Sequence, residues 1–114
     1  MIFVFGSNLA GIHGAGAALY ARRHYRAELG VGVGMTGDSY AIPTKDRFIY
    51  TLPLGIIKMH VDDFINFAVN NPKLNFKVTK IGCGLANYSE TDIAPLFKNA
   101  PDNCYLPDGW RNYV

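Results

Sequence analysis

Two stretches of this chain carry residue types that suit the binding of a phosphorylated ligand. The first runs Gly6-Ser-Asn-Leu-Ala-Gly-Ile-His-Gly-Ala-Gly-Ala17. Gly11, Gly14 and Gly16, with only alanine at 15 and 17, leave the backbone bare at what reads as a helix start. The first N–H groups of a helix lack internal partners, and with the helix dipole they form a site for an anion. Ser7, Asn8 and His13 are short polar groups able to orient sugar hydroxyls, and His13 is also the residue type that titrates near neutral pH. A steric reading of the same glycines, a tight strand-to-helix crossing, stays open. The spacing is neither G-x-G-x-x-G nor a P-loop. The second stretch, Ile81-Gly-Cys-Gly-Leu-Ala-Asn-Tyr-Ser89, again leaves a strand and enters a helix. Two such loops at strand ends could grip both sides of one diphosphate.

Other groups are candidates for chemistry or contact. Lys45 could act as a nucleophile toward an opened ribose, or be a solvated turn lysine beside Asp46. His13 could be a general base, or a loop histidine bonded to backbone. Tyr88, Tyr105 and Trp110 could stack on a base or pack in the core. Cys83, between two glycines, reads as a small filler beside phosphate, and Cys104 as a buried thiol. No C-x-x-C pair or cluster of ligands at zinc spacing occurs, so neither metal nor another cofactor is expected.

These loops need strands to end on and helices to begin. Met1 to Phe5 is an apolar run ending at Gly6, the pattern of a central strand buried on both faces. Gly14 to Leu29 reads as an alanine-rich helix stopped by Gly30, with Arg22, Arg23 and Arg26 sharing a solvated face. The four glycines from Gly30 to Gly37 predict a loop. Residues 40–43 and 47–52 are strand-like, joined by a turn at 44–46. Val61, Phe64, Ile65, Ala68 and Val69 give an amphipathic helix from about His60 to Asn71, stopped by Pro72. Asn75 to Ile81 alternates as a strand. Ser89 and Asp92 form a capping-box pattern, and Pro95 requires that the helix after it start late. Residues 103–106 form a last strand. The order β-α-β-β-α-β-α-β is that of an α/β layered domain.

Composition agrees. The 114 residues fit one domain, residues 1–114, and with 49% apolar and 18% charged residues they can bury a core without staples. No stretch is long and apolar enough to span a bilayer or serve as a signal peptide, so a cytoplasmic protein without a membrane partner is expected. A formal charge of +2 suits an anionic small molecule and falls short of a duplex-binding footprint. Three arginines on one helix without an aromatic platform do not make a nucleic-acid surface.

Taken together, Ser7-Asn8 with Gly11 to Ala17, Tyr40-Ala-Ile-Pro-Thr-Lys45 and Ile81-Gly-Cys-Gly-Leu85 resemble the motifs of macrodomains, above all of small, phage-type macrodomain-like proteins. The resemblance implies a compact three-layer α/β fold with a mixed central sheet. It also implies binding of ADP-ribose or an ADP-ribosylated macromolecule, nucleic acid entering only as a modified substrate. Ser7, Asn8, Gly11, Gly14, Ala15, Gly16, Gly82, Cys83, Gly84, Leu85 and Tyr88 would contact the ligand. Lys45 matches the lysine of the subgroup that removes ADP-ribose from carboxylates or bases, and with His13 it would serve hydrolysis of an ADP-ribosyl bond or a phosphate ester. Two family features have no counterpart: a Gly-Asp element that binds adenine, and an acid after the leucine of the second loop, where Ala86 stands. Enzyme and non-catalytic binding module both remain open.

Overall fold

The computed structural model describes residues Met1–Tyr113. A five-stranded sheet forms the middle layer, in the order β2-β3-β1-β4-β5. The central strand β1 (Ile2–Asn8) pairs in parallel with β3 (Ser39–Lys45) and β4 (Phe76–Val78). β5 (Cys104–Tyr105) adds in parallel to β4, and β2 (Gly34–Thr36) pairs antiparallel with β3 at the opposite edge.

The continuous apolar run at the start of the chain is explained by burial on both faces. Ile2 and Val4 point into a large core shared with Ile57, Val61, Phe64 and Ala68 of α2 (Leu54–Asn70). Phe3 and Phe5 point the other way, into a smaller core with Ala18 and Ala21 of α1 (Gly16–His24). That alternation follows from the strand period of two. It makes three layers, with α1 on one face and α2 on the other. α3 (Glu90–Ile93) opens behind Ser89, whose N–H is met by the Asp92 carboxylate at 3.2 Å. It passes into a 3₁₀ turn, Ala94–Phe97, with Pro95 in its first turn. The chain closes with a short 3₁₀ turn, Trp110–Asn112.

Several expectations are corrected. α1 ends at His24, five residues before Leu29, because Arg26 takes a left-handed φ of 57° and leaves the helix. Arg26 therefore shares no face with Arg22 and Arg23; it forms a two-pronged pair with Asp38, at 3.0 and 2.9 Å. The glycine-rich segment expected as loop contains the edge strand β2. Residues 47–52 form no strand. The Asp46 carboxylate accepts the N–H groups of Phe48 and Tyr50, at 2.8 and 3.0 Å, and turns the chain back on itself. One isolated bridge, Lys45 to Thr51, remains of the expected pairing. α2 also begins six residues earlier than its apolar pattern indicated, directly after Pro53, whose fixed φ suits a helix entry.

Candidate functional site

A cavity of about 690 Å³ opens at the carboxyl ends of β1, β3 and β4. That volume lies within the range usual for small-ligand pockets. One wall is the first glycine loop and the start of α1. Gly14, Ala15, Gly16 and Ala17 line the cavity and are exposed. The residue preceding α1, Ala15, has no side chain to cap the helix. The N–H groups of its first turn therefore keep their donor capacity for a ligand. A Cβ built on Gly14 meets nothing within 4 Å. The facing wall is the second loop, Gly82, Cys83, Gly84 and Leu85. Gly84 likewise opens on empty space. Gly82 differs: its φ is +73°, and a Cβ there would stand 3.0 Å from Ile93, so this glycine seats the loop against α3.

Asn8 and Lys45 become neighbours through a local irregularity. The β1–β3 register runs Ser7 to Pro43 and then Asn8 to Lys45, passing over Thr44. Such a bulge turns side chains toward a new direction at a strand end. Both residues line the cavity. The Asn8 amide braces the first loop, donating to Ile12 O at 2.8 Å and accepting Ile12 N–H at 3.0 Å. Asn8→Ala is expected to lose both bonds and to lower stability by about 1–2 kcal/mol. Ligand affinity should fall as the loop loosens. Chemical denaturation and calorimetric titration of one sample measure both, and an unchanged denaturation midpoint would refute the bracing role.

The other expected residues are divided between the cavity and the packed interior or surface around it. His13 is fully buried, edge-on to Phe5, with Nε2 3.0 Å from Glu28 O and 3.1 Å from Val31 O. It does not line the cavity, and its expected part in catalysis or ribose contact is corrected to a loop-fastening one. Ser7 lines the cavity, and its hydroxyl proton is donated to Gly32 O, which ties the end of β1 to the Gly30–Gly34 segment. Gly11 (φ +69°) packs against the Gly30–Val31 backbone, away from the cavity. Tyr88 donates its hydroxyl to Leu52 O at 2.7 Å and packs against the large core. Trp110 is buried in that core, and Tyr105 stands exposed on β5, outside the cavity. Burial raises the Cys83 pKa, with Glu90 adding to the rise, so the group is a thiol at neutral pH and a filler of the second loop.

The sequence reading missed Thr79, Lys80 and Ile49, which also line the cavity. Thr79 and Lys80 directly precede the second loop at the end of a parallel strand, and the strand-end rule applies to them as well. Ile49 enters through the Asp46-capped turn with a left-handed φ of 68°, which a β-branched residue does not advertise. Lys45 and Lys80 are the lining residues with charged side chains, and no Asp or Glu lines the cavity among the described residues. Among those residues no group of His, Cys, Asp and Glu is placed to hold a metal ion, and no helix is long and apolar enough to cross a membrane.

A parallel sheet with one antiparallel edge strand, layered between helices and opening at its strand ends into a glycine-walled cleft, is the fold of a macrodomain. The chain is similar to the macrodomain of Mycobacterium tuberculosis DarG, with a TM-score of 0.68 and 21% identity over 92% of this chain and 86% of that one. No family model matches the sequence, and no curated protein matches it.

Proposed function

We propose that the cavity binds ADP-ribose or a closely related diphosphate nucleotide, free or attached to a macromolecule. The observation that carries this reading is the pair of bare backbone walls, Gly14–Ala17 and Gly82–Leu85, facing one cavity whose charged lining is all positive. A diphosphate between them would meet N–H donors, a helix start and two ammonium groups, with no carboxylate among the described lining residues. The similar fold of a known macrodomain supports the same ligand class. Calorimetric titration with ADP-ribose, beside AMP and ribose 5-phosphate, tests it. Binding of ADP-ribose no tighter than of either fragment would reject the proposal.

Lys45 is the residue on which turnover would depend. It sits beside Asn8 at the cavity, and a lysine amine can form a Schiff base with an opened ribose. Lys45→Ala is expected to cut release of ADP-ribose by about a hundredfold or more, the usual worth of a proton-transfer or nucleophilic group. The assay uses ADP-ribosylated protein, ADP-ribosylated nucleic acid and ADP-ribose 1″-phosphate. Turnover that survives Lys45→Ala would end the assignment.

One observation favours the non-catalytic alternative. Among the described residues Lys45 is ion-paired with no carboxylate: Asp46 is bonded to its own turn, and Ala86 is buried at the place where the resembled subgroup has an acid. Tight ADP-ribose binding without turnover of any of the three substrates would make the protein a reader or sequestering module.

A further inference from the structure

Lys80 stands at the cavity on the side of β1 opposite Lys45, following β4 as Lys45 closes β3. Its ammonium lies 3.3 Å from Glu90 Oε1. The same oxygen accepts the indole N–H of Trp110 at 2.8 Å. Trp110 is 1% exposed and packs beside Phe97, so the carboxylate is held from behind by a side chain fixed in the core. Trp110 first, and Lys80 second, hold the Glu90 carboxyl below its usual pKa, which keeps it an anion at neutral pH.

The pair itself is loose. Charge-assisted N–H···O bonds are commonly about 2.7–2.9 Å, and ion pairs this open to solvent contribute little. The side chains of Lys80 and Glu90 keep 56% and 39% of their surface exposed. A lysine held so weakly at a cavity suited to anions can pass to a stronger acceptor at small cost. A diphosphate is such an acceptor, with more oxygens and more charge than one carboxylate.

We infer that Glu90 is a built-in competitor for the ligand: it holds Lys80 at the cavity until the diphosphate takes Lys80 over. This rests on the ligand class proposed above. Glu90 thereby trims the affinity of the site, and Trp110 fixes the carboxylate that does so. Lys80 is a binding contact, not a catalytic residue.

The opposite signs expected of two substitutions test the inference, read by calorimetric titration of the full chain with ADP-ribose. Lys80→Ala should weaken binding about three- to tenfold, the range for one partly exposed charge-assisted contact, and Lys80→Arg should restore most of it. Glu90→Gln keeps an oxygen for the Trp110 indole but removes the competing charge, and should tighten binding about two- to fivefold. In the Lys80→Ala background that gain should disappear, because the competition has lost its object. A merely structural role for Glu90 would weaken binding instead. A gain that persists in full without Lys80 would mean general charge repulsion and would overturn the competition. If Glu90→Gln does not fold, the Lys80→Ala and Lys80→Arg pair still decides whether Lys80 meets the phosphate, and unchanged affinity in both overturns the inference. Wild-type protein that does not bind ADP-ribose would overturn the proposed function and this inference together. Wild-type binding with no change in any variant would overturn the inference alone.

Discussion

Gly14→Val is expected to leave the protein folded and to abolish ADP-ribose binding. The two halves of that result have separate causes. Gly14 does not need a left-handed φ, and a Cβ on it meets no atom within 4 Å, so the fold has no steric reason to object. The room into which the branched methyls extend is the cavity itself, at the approach to the start of α1. A diphosphate has to come within hydrogen-bond reach of those N–H groups, about 3 Å from nitrogen to oxygen. Methyl groups there hold it off and also strip water from the donors without replacing their bonds. A loss of at least about a hundredfold in Kd, near 2.7 kcal/mol, is the expected scale. Circular dichroism and a thermal melt establish that the variant is folded, and titration establishes the loss. A folded Gly14→Val protein with wild-type affinity would remove the phosphate-loop assignment.

Gly32→Ala should do the reverse and damage the fold. A Cβ at Gly32 would stand 2.0 Å from the carbonyl oxygen of Asn8 and 3.1 Å from its carbon, so backbone at the end of β1 must move. The Gly32 carbonyl also accepts the Ser7 hydroxyl, and a shift there breaks that bond as well. Overpacking of this kind costs about 3 kcal/mol or more when the neighbour is backbone and cannot rotate aside. Gly30→Ala is the matched control. Its φ of +92° is strained for alanine, but its Cβ would meet nothing within 4 Å, so only about 1–2 kcal/mol is expected. Urea denaturation of the two variants separates clash from strain. Equal midpoints would show that the segment from Gly30 to Gly32 shifts freely away from β1.

How much of this could be read from residues alone depended on whether the signal was local. Ile2 to Phe5 declared a doubly buried strand because each face of a parallel sheet selects apolar side chains. Both glycine walls were legible for a similar reason, since bare backbone at a helix start leaves a mark in composition. The expected and observed element orders agree in form yet differ in substance. The pair of strands in the middle of the chain is 34–36 with 39–45, not 40–43 with 47–52. Phe48, Ile49 and Tyr50 have β-prone side chains, but β3 already has neighbours on both edges, and no third edge exists for them to join. The end of α1 was hidden because arginine is not a residue that announces a left-handed turn. His13 shows the limit for chemistry. A histidine in a polar, glycine-rich loop satisfies every local criterion for a catalytic group, and only the path of residues 28–31 across the loop shows that it is sealed in.

The place of β1 in the sheet also sets an order of events for the growing chain. Its hydrogen-bonding partners are Ser39 to Lys45 on one side and Phe76 to Val78 on the other, so its own residues leave the ribosome before either partner. The sheet cannot form by local zippering of adjacent strands; its centre must wait for segments made much later. Topologies dominated by such distant pairings pay loop-closure entropy early and fold slowly for their size. Until Val78 is available, Ile2, Phe3, Val4 and Phe5 form an apolar strand with open edges on both sides. The same residues that make the most secure strand of the finished protein are, during synthesis, the segment most in need of shielding from other chains.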